Sequence, residues 1–235
     1  MVTIWPQLSF SDATRRWLAE GLIHALPQLR MRELFRQRFD MFDQADLITV
    51  AVVGNTVAGA LASRWDTLPD GTRFLHVTSQ FVAERHRHGG IFRMSWRGHF
   101  TDLLSGDPGF PETIVLKTYN PVVYYAMRAF GLAPYVRMYP SVTAPQRPSP
   151  ARLAAMIAAA ISPEHEFHPG SGVIRGAGVP ADLYPEQPAC RDAQVNAYFA
   201  RHARPGDRML CLLQIPTRRG ADTILRAFNV PCSSS

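Results

Sequence analysis

Between Arg85 and Trp96 the chain reads RHRHGGIFRMSW: basic or titratable side chains, two glycines, then an apolar helix start. That order suits anion binding. Glycines let the backbone approach a ligand closely. The first N–H groups of a helix have no partner within it, and the helix dipole adds partial positive charge there. Arg85, Arg87 and His88 supply further donors. A phosphate or pyrophosphate fits such a turn, and a solvated helix start is the alternative from these residues alone. No Gly-Lys-Ser/Thr follows, so the turn is not a P-loop, and the three-glycine spacing of a dinucleotide fingerprint is missing. Metal chemistry is not expected: no Cys or Asp completes a ligand spacing with His86, His88 and His99, and His165 and His168 read as an ordinary polar loop. Cys190, Cys211 and Cys232 are widely spaced, which points to reduced thiols in a cytoplasm. Cys211, inside MLCLLQI, reads as a small buried hydrophobe rather than a nucleophile.

Such a turn needs a strand before it and a helix after it. RFLHVTSQFV (73–82) reads as the strand and residues 89–104 as the helix, with Gly98 weakening its middle. Upstream, Ser11 or Asp12 caps a helix over 13–26, and MRELFRQRFDMF (31–42) has helical spacing. LITVAVV (47–53), a GN turn and TVAGALASRW (56–65) read as a β-hairpin. ETIVLKT (112–118) is a strand. Residues 120–131 form a helix with Asn120 as N-cap, Pro121 at the first helical position and Gly131 as the stop. YVRMYPSV (135–142) is a further strand. Residues 1–142 therefore read as one mixed α/β sheet domain and TAPQRPSP (143–150) as a linker. Residues 151–235 read as an α/β extension: a helix over 151–160, a loop-rich stretch to 188, a helix within 191–203, a buried strand over 207–216 and a last helical piece over 217–228.

Residues 46–142 resemble the GCN5-related N-acetyltransferase (GNAT) family. Its core motif is a strand ending near a valine, then Arg/Gln-x-x-Gly-x-Gly/Ala opening a helix; here Val82 precedes Arg87-His88-Gly89-Gly90-Ile91-Phe92, with Phe92 in the family's small-residue place. A second match is Asn-x-x-Ala-x-x-Leu-Tyr-x-x-x-Gly-Phe, where Asn120 and Gly131 keep the separation and Leu132 takes the Phe place. The hairpin, with Gly59, resembles the family's second and third strands. The resemblance implies a mostly antiparallel central sheet flanked by helices. It also implies acetyl-CoA or another acyl-CoA as co-substrate, with its pyrophosphate on the N–H groups of Arg87, His88, Gly89, Gly90, Ile91 and Phe92. Pantetheine would lie along the strand end Gln80, Phe81 and Val82, beside Asn120. Lys117 and Thr118 would approach the phosphates.

The implied reaction is direct acyl transfer to the amine of a small molecule, helped by proximity and by a positioned acid and base. The family's frequent tyrosine acid falls on Met127, which cannot donate a proton, so Tyr124, one turn earlier, is the candidate acid. His76, whose neighbours Leu75 and Val77 should face the other side of the sheet, is the candidate base. Glu112 is a carboxylate that could orient an amine. The structural alternatives are core packing for Tyr124, a hydrogen-bonded pocket residue for His76 and a surface charge for Glu112. Phe92 and Met127 also support a second class, a non-catalytic CoA-binding protein that keeps the fold.

Two hundred and thirty-five residues with a net charge of +6 favour anionic partners. No nucleic-acid reader module is present, no apolar stretch approaches a membrane span, and the N-terminus lacks signal-peptide character. In the extension, Arg175, Asp182, Tyr184, Glu186 and Arg191 among Gly and Pro suggest a lid, an acceptor wall or a cap over the sheet edge. The 207–216 strand offers a route to a homodimer.

Overall fold

The computed structural model describes residues 1–86, 90–107, 109–131 and 135–231. In chain order its elements are β1 (Val2–Ile4), α1 (Pro6–Ser9), α2 (Asp12–Ala25), α3 (Met31–Gln37), β2 (Leu47–Val53), β3 (Thr56–Thr67), β4 (Arg73–Val82), a 3-10 turn over Glu84–His86, α4 (Ile91–Leu104), β5 (Thr113–Thr118), α5 (Pro121–Gly131), β6 (Arg137–Tyr139), α6 (Pro148–Ile161), β7 (Phe167–His168), β8 (Val173–Ile174), α7 (Ala193–His202), β9 (Arg208–Gln214) and α8 (Arg218–Ala227).

Local chemistry explains most boundaries. Ser11 caps α2 by accepting from the Thr14 N–H, and Thr217 caps α8 by accepting from the Gly220 N–H. The second helix stops at Gln37 rather than running to 42. Residues 38–45 turn instead, through Met41 N–H to Arg38 C=O and Ala45 N–H to Phe42 C=O, which buries Phe42. The expected linker gives up its last three residues to α6, whose first turn holds Pro148.

The strands form one sheet in the order β1-β2-β3-β4-β5-β9-β8-β7, with β6 also paired to β9. Every pairing is antiparallel except β4 with β5. This is the GNAT-like mixed, mostly antiparallel sheet flanked by helices. Helices α4, α5, α7 and α8 cover one face through Trp96, Phe100, Phe130, Phe199 and Leu225. The other face is covered by α2 and α3 over Ile48, Val50, Ala60 and Ala62, and by α6 over Phe74, Val115, Leu210 and Leu212. The sheet crosses the division expected at 142. β9 lies between β5 and β6, pairing Thr113–Thr118 with Gln214–Met209 and Arg137–Tyr139 with Gln214–Leu212. The chain after residue 142 thus completes the sheet.

Candidate active site

β4 and β5 run together for only three pairs, Leu75↔Ile114, His76↔Val115 and Val77↔Leu116. Beyond Val77, β4 continues to Val82 bound to β3, and β5 continues to Thr118 bound to β9. The two strands part, and the β4 edge that faced β5 has no strand partner among the described residues. At the parting point Ser79 pairs Ala62 and Val77 pairs Ser63, so Thr78 is an extra residue, a β-bulge. The bulge reverses the alternation. Leu75 and Val77 face α4 and α5, and after it Val82 does so too, against Ile91, whereas Phe81 turns to the α2 face. β3 must be bare alongside: a Cβ on Gly59 would lie 2.5 Å from the Phe81 carbonyl oxygen.

A groove of about 1170 Å³ passes through the parting. It is lined by Gln80, Phe81, Val82, Phe92 and Asn120, five of the residues expected at a cofactor site. Asn120 caps α5 as expected: its Oδ1 accepts from the Val122 N–H, and its own N–H donates to Thr118 Oγ1. Gly90 is the N-cap of α4 at φ 81°, a left-handed conformation that favours glycine. Ile91 is buried against Ala51 and Ala58. The Phe92 ring leans on Phe130 and Phe228 at 6.1 and 6.3 Å, inside an aromatic cluster that accommodates it. Arg87, His88 and Gly89 lie outside the described residues. Gln80 Nε2, in the groove lining, is buried without a hydrogen-bond partner, the kind of orphan an amide-bearing ligand satisfies.

The groove also uses residues outside the expected cofactor set, among them Tyr184 and Arg191 of the stretch expected to form a lid, an acceptor wall or a cap. Arg93 follows Phe92, and the segment Tyr184, Ala189, Cys190, Arg191, Asp192 and Ala193 builds the outer wall. Asp192 caps α7 and forms an ion pair with Arg128 of α5, and Asn196 clamps Cys190 through both its backbone groups. The density of polar groups in this Gly/Pro-rich stretch was the available signal. The link to α5 was not, because it spans 64 residues. At the other end Arg30 pairs with Asp182, and its N–H donates to the Leu183 carbonyl, tying the wall to the α2–α3 turn.

The candidate catalytic residues separate. Tyr124 is 3% exposed; its hydroxyl donates to the Pro140 carbonyl at 2.6 Å, and its ring faces Phe199. Burial pushes its phenol well above the ordinary range. It is a core residue, so the acid role proposed for it is corrected; Tyr125, 38% exposed, and Tyr184 are the phenols that line the groove. Met127 is buried in the same core as Tyr124. Glu112 is exposed beside a different cavity of about 660 Å³ with Asp70, Thr72 and Arg152, at the start of β5 and away from the parting. Cys211 is fully buried, with its thiol pushed up by desolvation.

His76 is 6% exposed and lies one residue before the strands part. Leu75 and Val77 turn to the α4/α5 face, so His76 faces the opposite side. Its Nδ1 is 3.0 Å from Asp66 Oδ2, which also accepts from Arg64 Nε at 3.0 Å. Burial lowers the imidazole's pKa, against the opposing pull of Asp66. Lys117 is on this face too, not beside phosphates, with Nζ donating to Ser162 Oγ at 2.9 Å. α4 is pinned by His99, buried between Thr49 Oγ1 and Ser63 Oγ at 2.8 Å each.

A sheet opened between two parallel strands, with two helices starting at the opening, is a GNAT-like fold. No family model and no curated protein matches the sequence. Among solved structures, a GNAT-family acetyltransferase from Staphylococcus aureus Mu50 superposes over 61% of this chain and 89% of its own, at 12% identity and a TM-score of 0.40. Eis1 from Mycobacterium abscessus does so over 63% of this chain and 36% of its own, at 21% identity and a TM-score of 0.37. Naa20 from Chaetomium thermophilum, solved with a bisubstrate analogue, covers 94% of this chain and 90% of its own, at 13% identity and a TM-score of 0.43. These superpositions are loose, and the reading of the site rests on its own geometry. Among the described residues no helix is long and apolar enough to cross a membrane.

Proposed function

We propose that the protein transfers an acyl group directly from acyl-CoA to the amine of a small molecule. One observation carries this reading: a free strand edge borders a groove of about 1170 Å³ at the starts of α4 and α5. An extended chain bearing amides suits a free strand edge, by the pairing that adds a strand to a sheet. The orphaned Gln80 Nε2 fits the same ligand. Arg93, Arg191 and the first N–H groups of α4 suit its phosphates. When bound, acyl-CoA supplies the activated thioester; the residues here hold it, exclude water and move the proton. Asp66 accepts from His76 Nδ1–H and leaves Nε2 as the base for the attacking amine. Tyr125, a phenol lining the groove, donates a proton to the leaving thiolate.

Titration calorimetry with CoA and acetyl-CoA tests this reading. Micromolar binding, weakened about tenfold in an Arg93→Ala/Arg191→Ala double variant, is expected. Absence of binding to either, and to longer acyl-CoAs, overturns it. A second reading, CoA binding without turnover, draws on Met127 buried at the family's acid position. It is chosen if binding occurs and no thiol is released with a broad panel of amines.

A further inference from the structure

Four neighbouring strands each place a basic residue on the sheet face opposite α4 and α5. Arg64 of β3 pairs with His76 of β4, and His76 pairs with Val115 of β5. Lys117, two residues along from Val115, shares its face and pairs with Leu210 of β9; Arg208, two residues from Leu210, pairs with Ile174 of β8. Val115, Leu210 and Ile174 share one apolar cluster under α6, which confirms that the row lies on a single face. Arg38, just after α3, adds to the charge felt by Lys117.

The only carboxylate among these groups is Asp66, and it is engaged by Arg64 and His76. Lys117 reaches neutral oxygens alone, Ser162 Oγ at 2.9 Å and the Ile161 carbonyl at 3.5 Å. Arg208 is 9% exposed, and its Nη1 donates to the Asp207 carbonyl at 2.8 Å. The Asp207 carboxylate points elsewhere, to Arg175 and to the N–H groups of Gly176 and Arg204. Among the described residues neither Lys117 nor Arg208 has a carboxylate within ion-pair distance. The chain even makes room for the guanidinium: a Cβ on Gly178 would lie 2.1 Å from Arg208 Nη1. Burying a guanidinium without an anion is costly. Desolvation and the three arginines bring Lys117 down to about 8, consistent with unbalanced positive charge.

We infer that this row is an anion subsite and that the acceptor is a compact amine carrying a carboxylate or phosphate held by Lys117 and Arg208. The inference rests on the transferase reading. Strands lie about 4.8 Å apart and residues about 3.3 Å apart along them, so by register Lys117 is one strand across and two residues along from His76, and Arg208 two strands across and four residues along. Lys117 is therefore the nearer cation: an amine presented to His76 sends its anionic group toward Lys117, with Arg208 the more distant partner.

The test uses acylated-amine probes with the full chain, titrated with and without CoA: N-acetylglycine for the carboxylate, N-acetyl-O-phosphoethanolamine for the phosphate and N-acetylglycinamide as the neutral control. At least one anionic probe is expected to bind about tenfold or more tighter than the amide. The preference should shrink in Lys117→Met and Arg208→Gln. The wild-type ratio decides even if these buried variants fail to fold, and exposed Arg38→Gln adds a milder reduction. The arm that binds distinguishes carboxylate from phosphate. Equal affinity of all three probes overturns the inference while CoA binding leaves the transferase reading standing. An anionic preference without CoA binding sinks the transferase reading alone.

Discussion

His99 and His76 are both buried, but their surroundings give them opposite duties. His99 has only hydroxyls, Thr49 Oγ1 and Ser63 Oγ, and burial lowers its pKa to about 3. The unfolded imidazole protonates near its ordinary 6.5, while the folded one resists to about 3. Its contribution is therefore complete above 6.5 and is lost as pH falls from there toward 3. The slope is at most one proton, about 1.4 kcal/mol per pH unit. Urea unfolding at pH 7 and pH 5 is expected to show that loss in the wild type and not in His99→Gln. His76 has a carboxylate at Nδ1, and its lowered pKa keeps it neutral at pH 7. With an amine acceptor in hand, His76→Gln is expected to reduce kcat by roughly 10²- to 10⁴-fold with CoA affinity unchanged. The acid limb of the wild-type profile, which falls below pH 6.5, should disappear with it. An unchanged rate would return His76 to a purely structural role.

At the scale of the element, β4 decides the site. Its bulge at Thr78 changes which residues face the groove, and its approach to Gly59 holds the splayed end against β3. Gly59→Ala places a methyl 2.5 Å from the Phe81 carbonyl oxygen, so backbone must shift. It is expected to destabilise by ~1–3 kcal/mol and to weaken CoA binding. Gly98 is the contrasting case. A Cβ there meets only Thr49 Cγ2 at 3.5 Å, in the middle of α4. Gly98→Ala is expected to be neutral or stabilising by up to ~1 kcal/mol, with CoA binding intact. Thermal unfolding and calorimetry of the two variants check the pair.

Across the whole molecule, β9 carries the sheet from β5 to β6 and β8. Cys211 and Leu213 fill one face, and Leu210 and Leu212 the other. A chain ending at 142 would leave β5 without its antiparallel partner and expose both faces. It is expected to aggregate or stay unfolded by circular dichroism and size exclusion, whereas the full chain folds. A folded, monomeric 1–142 fragment would show that the N-terminal part is self-sufficient. The wall built by 184–193 belongs to the same scale, because it closes a groove whose floor lies a hundred residues earlier in the chain.

Periodicity and punctuation were enough for most elements. The hairpin at Gly54, the strand at 73–82 and the helix opened by Asn120 and Pro121 all follow from local chemistry that a single sequence displays. The strand end at Gln80–Val82 and the Asn120 cap were legible for the same reason: each motif is short and continuous. Other features depended on distant pairings. Tyr124 and Tyr125 are adjacent in sequence and equally able to donate a proton, and only packing against Phe199 and Pro140 sends one inward and leaves the other at the groove. A one-residue bulge shows no compositional mark, yet it exchanges the faces of every residue after it. The row Arg64, His76, Lys117 and Arg208 is spread over 145 positions, and no spacing rule joins its members. Which segments become strands and helices was set by the sequence alone, because that depends on neighbours along the chain. Only the tertiary structure decided which side chains share a face, because that depends on register between strands that meet from far apart.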